Sequence, residues 1–158
     1  MNRLIIVLVF LCSCYSKKQS PIQSEFYGKV IKVIDGDTYD LLVDTTTMRI
    51  RMDGIDAPER GMPFYKVAKE YLGSQCVEQN IKVITTTKDR YKRFIANSYL
   101  ENGSSLSLLM VKAGMAWHFK KYSNDIELSD AELEAKSKRI GLWFDETPTP
   151  PWEWREEK

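Results

Sequence analysis

Apolar and polar positions alternate from Phe26 to Ile34 as in a half-buried strand, and the same reading gives strands at Tyr39 to Val43 and Met48 to Ile55. The turns Asp35-Gly36-Asp37 and Asp44-Thr45-Thr46 join the three into an antiparallel meander. In the third strand Ile50 and Met52 take one face, and Arg49, Arg51 and Asp53 the other. Simple alternation would then put Asp56 on the wrong side from Arg51, so we expect a bulge at Gly54 that reverses the parity. Phe64, Val67, Ala68, Tyr71 and Leu72 recur at helical spacing and predict a helix from about Pro63 to Val77. Asn80 to Thr87 is a β-branched strand, and Phe94 to Leu100, with Arg93 at its start, is its hairpin partner. Ser104 or Ser105 caps a helix with Leu106, Leu109, Met110 and Ala113 on its inner face, ended by Gly114. Another helix is predicted from about Asp125 to Lys138. Five strands with this helix pattern fit an α+β fold, a Greek-key barrel of the OB type with about three packed α-helices. Residues 145–158, with Pro148, Pro150 and Pro151, read as a tail outside the barrel, although exposing Trp152 and Trp154 would be costly and favours their docking back.

Two short stretches carry the chemistry. Asp35-Gly-Asp37-Thr38 and Arg51-Met-Asp-Gly-Ile-Asp56-Ala-Pro-Glu59 are dense in hard oxygen donors. Asp37, Asp56 and Glu59 are expected to hold one divalent cation jointly, and Arg51 offers a planar fork that matches two phosphate oxygens. No Cys or His lies among them, so the ligand set suits Ca²⁺, Mg²⁺ or Mn²⁺ and argues against zinc. Taken singly, each stretch is also an ordinary turn or strand exit.

Together, Val33-Ile-Asp35-Gly-Asp37-Thr38, Arg51-x4-Asp56-x-Pro58-Glu59 and Asp89-Arg90-Tyr91-Lys92-Arg93 resemble the staphylococcal (thermo)nuclease family. The resemblance extends over roughly residues 25 to 144, through Gly114-Met-Ala-Trp-His and Gly141-Leu-Trp143. It implies the same barrel, and hydrolysis of DNA and RNA with little sequence preference, leaving 3′-phosphates. It further implies that Asp37, Asp56 and the main-chain carbonyl of Ala57 ligate Ca²⁺, and that Glu59 orients or deprotonates the attacking water. Arg51 and Arg93 would grip the phosphate, and Tyr91 and Tyr122 would border the nucleotide pocket. Lys120 stands where a second pocket tyrosine is expected and would contact phosphate instead. Lys92 and Phe94 flank Arg93 where the best-known members of the family carry glycines. Ala57 replaces a threonine, without consequence for a backbone ligand. His118 lies away from every carboxylate motif and reads as structural, as do Trp117 and Trp143.

The chain has 158 residues, enough for one domain with a real core. Lys and Arg total 23 against 22 Asp and Glu, so no general basic field draws in nucleic acid and any phosphate binding must be local. A monomer is the default expectation. Met1-Asn-Arg3 followed by the apolar run Leu4 to Leu11 reads as a signal peptide over residues 1–13, the run being too short to cross a bilayer as a helix. Leu11-Cys12-Ser13-Cys14 resembles a bacterial lipobox, which would lipidate Cys14 and anchor the protein to a membrane, with residues 14–24 as a flexible tether. Cleavage near Ser13 or Ser16 would give a secreted protein instead. Cys76 is then the one thiol in the domain, so no internal disulfide is possible. A non-catalytic OB module that binds single strands or a protein is the rival to an enzyme, but degenerate relatives usually lose the arginines or the glutamate, and both are present here.

Overall fold

The computed structural model describes residues 24–157; the signal-peptide and lipobox stretch and most of the tether lie outside the described residues. Strands β1 (Ser24–Val33), β2 (Thr38–Val43), β3 (Thr46–Met52), β5 (Asn80–Lys88) and β6 (Phe94–Leu100) close into a barrel in the order β1-β2-β3-β6-β5. All neighbours are antiparallel except β3 and β6, which run parallel in the register Ile50↔Phe94 and Arg51↔Ile95. The five-stranded barrel expected from the sequence is therefore the fold, with helix α1 (Tyr65–Cys76) filling the crossover between β3 and β5.

The strand faces follow from alternation. Val30, Tyr39, Leu41, Ile50, Met52, Ile81 and Val83 point inward and are almost wholly removed from solvent, the main apolar driving force for closure. Buried Tyr39 satisfies its hydroxyl on Ser98 Oγ at 2.6 Å, as a phenol in a dry core requires. Cys76 is buried at the end of α1 and bonds the Leu72 carbonyl; burial pushes its thiol up to about 12, so it is inert. Helix α2 (Leu106–Lys112) starts on the Ser105 cap, and α3 (Ile126–Ser137) on Asp125, whose carboxylate accepts from Glu127 N and Leu128 N.

Four expectations need correction. The third strand does not run to Ile55: it ends at Met52, and Ile55–Asp56 (β4) pairs instead with Trp117–His118 (β7) in a separate two-stranded sheet. At Gly54 the chain turns, with φ 76°, rather than bulging within a continuous ladder. Asp53 anchors that turn: its carboxylate accepts from Gly54 N and Thr86 Oγ1, and its carbonyl accepts from Ser107 Oγ. The result foreseen for the bulge is reached by this other route, since Arg51 and Asp56 do face each other. Arg93 is the last loop residue before β6, not its first strand residue.

The fourth correction concerns the expected tail. Pro151–Glu156 forms a fourth helix, α4, with proline in the first turn, where its missing N–H costs nothing. Trp152 stacks flat on Phe119, with centroids 5.1 Å apart and planes 3° apart, and meets Trp117 edge-on. Trp117, Ala135, Leu142 and Trp143 form a second small core beneath it. The tryptophans dock because an exposed indole is expensive, and docking carries Arg155 onto the barrel.

Candidate active site

The β1–β2 turn and the β3–β4 turn meet at one end of the barrel. Gly36 permits the approach: a Cβ there would lie 2.7 Å from Ala57 Cβ and 3.0 Å from Ala68 Cβ. The contact is sealed by Asp37, whose Oδ2 accepts from Ala57 N at 2.8 Å and whose Oδ1 accepts from the Thr38 hydroxyl.

Arg51 holds the centre. Its Nε pairs with Asp37 Oδ1 at 3.1 Å, and one terminal nitrogen pairs with Asp56 Oδ1 at 2.9 Å. The other terminal nitrogen donates to the carbonyls of Met52 and Ile55. All three charged side chains are nearly enclosed, at 12, 7 and 2 % exposure for Arg51, Asp37 and Asp56. Each of the three guanidinium nitrogens has a partner, an arrangement that a lysine ammonium in the same place would not reproduce.

Acidic groups outnumber the cations at this end. Asp35 lies beside Asp37, and burial together with repulsion from Asp37 pushes its carboxyl up to about 7. Burial also raises Asp56, against the opposing hydrogen bond from Arg155. Buried carboxylates in excess of their guanidinium partners are the environment in which a hard dication is favourable. Asp37 and Asp56 side by side with the Ala57 backbone therefore fit such an ion, with water completing its shell. Glu59 does not close a three-carboxylate cage with them; among the described residues no three Asp, Glu, His or Cys side chains converge in that way. Instead Arg155 of α4 stands between, donating to Asp56 Oδ2 at 2.7 Å and to Glu59 Oε1 at 2.6 Å.

The second half of the expected site comes from the β5–β6 hairpin. Asp89 Oδ1 accepts from the main-chain N–H groups of Tyr91 and Arg93, and its Oδ2 pairs with Arg93 Nε at 2.7 Å. Burial works to raise Asp89, but these hydrogen bonds from Arg93 outweigh it and hold its carboxyl below the usual value. Lys92 adopts φ 64°, the left-handed conformation that glycine takes most readily. Among the described residues no hydrogen bond or ion pair joins Arg93 to Arg51, Asp37, Asp56 or Glu59. The parallel register nevertheless puts Arg93, two residues before Ile95, on the face shared by Ile95 and Arg51.

Tyr91 and Tyr122 are both exposed. Tyr91 lies against Arg90 and Arg93, and Tyr122 edge-on to Phe119. Lys120 Nζ pairs with Glu132 Oε2 at 3.1 Å, with its side chain 58 % exposed. A groove of about 720 Å³ runs between Arg90, Lys121, Tyr122, Trp152 and Arg155, joining the hairpin to α4. His118 is buried behind it, lowered by desolvation and bonded through Nδ1 to Ser129 Oγ at 3.0 Å, in keeping with a structural role. Sequence reading missed Arg155 altogether. The signal available was Pro150-Pro151-Trp152-Glu-Trp154-Arg155, a helix start followed by two indoles that must bury against something.

A five-stranded barrel whose loops gather carboxylates and arginines at one end defines a class of phosphodiester hydrolases. Residues 49–145 match the model of the staphylococcal nuclease homologue family, and the chain belongs to that family of hydrolytic nucleases. It is 33 % identical over 135 residues to an uncharacterized endonuclease of Escherichia coli O157:H7, covering 85 % of this chain and 88 % of that protein. To the micrococcal nuclease of Shigella flexneri it is 34 % identical over 145 residues, covering 85 and 83 %. A staphylococcal-like nuclease of Arabidopsis thaliana is 43 % identical over 110 residues, which are 70 % of this chain and 34 % of that longer protein.

Proposed function

We propose that the protein is an extracytoplasmic, calcium-dependent nuclease that cleaves DNA and RNA with little sequence preference and leaves 3′-phosphates. The observation that carries this reading is the enclosed Asp37–Arg51–Asp56 group with Glu59 at its rim. Asp37, Asp56 and the Ala57 carbonyl would hold the cation, which supplies charge neutralisation at the phosphate. Arg51, fixed on every side, presents a preorganised positive charge that needs no rearrangement as negative charge gathers on the phosphorus oxygens. Arg93 approaches from the hairpin on the same face, tethered by Asp89. Glu59 is the carboxylate within reach of solvent and orients the attacking water or takes its proton. The exposed rings of Tyr91 and Tyr122 offer faces on which any base can stack, which suits binding without sequence preference.

Location follows from the N-terminal pattern: the short apolar run and Cys14 support export and lipid anchoring. A weak calcium site suffices outside the cytoplasm, where modules work with dissociation constants of about 10⁻⁴ to 10⁻³ M. The test is cleavage of single-stranded DNA with Ca²⁺, with Mg²⁺ and with EDTA, beside Glu59→Ala. Cleavage with calcium that vanishes in EDTA and falls by about 10²-fold or more in the variant is the expected result. Binding of DNA without cleavage under any cation would refute the enzymatic reading and leave a binding module.

A further inference from the structure

Both oxygens of Asp56 are engaged by guanidinium groups, Oδ1 by Arg51 at 2.9 Å and Oδ2 by Arg155 at 2.7 Å. Arg155 also takes Glu59 Oε1 at 2.6 Å. A dication ligated by Asp56 brings two positive charges to an oxygen that already faces one, and like charges at such range repel strongly in a partly dry site. One guanidinium must give way. Arg51 is 12 % exposed and is also tied to Asp37 and to two carbonyls. Arg155 is 41 % exposed, and its described hydrogen bonds go only to Asp56 and Glu59. Arg155 is the group that can leave at little cost. Its helix need not leave with it, because α4 is held separately by the Trp152–Phe119 stack.

We propose that Arg155 is a built-in counter-cation that competes with the divalent metal for Asp56 and Glu59, and so sets the metal concentration at which the nuclease becomes active. Without metal it neutralises the two carboxylates and blocks the Glu59 oxygen that would face water. With metal bound, its side chain, already 41 % exposed, swings out into solvent. The inference rests on the reading that Asp37 and Asp56 hold a divalent cation.

The experiment is calorimetric titration of the wild-type protein, Arg155→Gln, Arg155→Lys and Trp152→Ala with CaCl₂ and then with MgCl₂, with Asp56→Asn as the variant in which the site is removed. Removing a competitor that makes charge-assisted bonds is expected to tighten cation binding about tenfold in Arg155→Gln. Arg155→Lys, which keeps the charge without the fork, should fall between it and the wild type. Trp152→Ala, which loosens α4 without touching the carboxylates, should shift affinity the same way. Equal or weaker binding in Arg155→Gln, with Asp56→Asn silent, overturns the inference and leaves the metal reading intact. No binding of either cation by any of the proteins overturns both.

Discussion

Arg51 and Arg93 are expected to fail in different ways when removed, because one is enclosed and the other is not. In Arg51→Ala, Asp37 loses its guanidinium partner, Asp56 keeps only Arg155, and the carbonyls of Met52 and Ile55 lose their donor. Breaking a buried pair by deleting one partner costs about 3–5 kcal/mol. We take about 4 kcal/mol as the expected loss, a large part of the 5–15 kcal/mol that holds a typical domain together. At roughly 3 °C per kcal/mol for a chain of this size, Tm should fall by about 12 °C. Arg93 is 28 % exposed and its one ion pair, with Asp89, lies at the surface, so Arg93→Ala should cost about 1 kcal/mol or less. Both variants should lose about 10²- to 10³-fold in kcat, as expected when a preorganised donor to the developing charge is removed. Urea unfolding followed by tryptophan fluorescence gives the midpoint and the slope, and initial rates on single-stranded DNA give kcat. Millimolar Ca²⁺ should recover part of the stability of Arg51→Ala by placing positive charge between the same carboxylates. Equal stability losses in the two variants, or a loss below about 1 kcal/mol in Arg51→Ala, would refute the claim that Arg51 is the electrostatic centre of the fold at this end.

Two further predictions concern the edges of the site. Glu132 is raised by burial, but hydrogen bonds from Lys120 and Lys136 outweigh that and hold its carboxyl below the ordinary value of 4.5, while it also accepts from His118 N. A depressed carboxylate contributes stability above its unfolded pKa and loses it as pH falls through the folded one. The Tm difference between wild type and Glu132→Gln should therefore be full at pH 7 and shrink steadily below pH 4.5; a constant difference from pH 7 to pH 3 would show that its charge is irrelevant. Lys92→Gly should raise Tm slightly: a side chain at φ 64° costs about 1–2 kcal/mol, against about 0.5–1 kcal/mol of added chain entropy for glycine. A fall in Tm would mean that Lys92 makes contacts worth more than its strain.

Local signals determined much of this protein. Period-two alternation placed the barrel strands within a few residues, because a half-buried strand must alternate. The serine cap marked the start of α2, because free N–H groups at a helix start need an acceptor. The carboxylate and arginine motifs named the residues that meet at Arg51, because their chemistry fits one task wherever the chain brings them together. Tertiary structure decided the rest. The parity of Arg51 and Asp56 is set by a turn at Gly54 that β7 and Ser107 stabilise from far along the chain, which no local pattern encodes. No local signal showed that Lys120, in the turn after β7, pairs with Glu132 on α3. Arg155 looked like part of a proline-rich tail, and it reaches Asp56, 99 residues away, only because two indoles have to find cover. Contacts of that kind arise from the burial of distant apolar surface, a property of the assembled fold and of no short stretch within it.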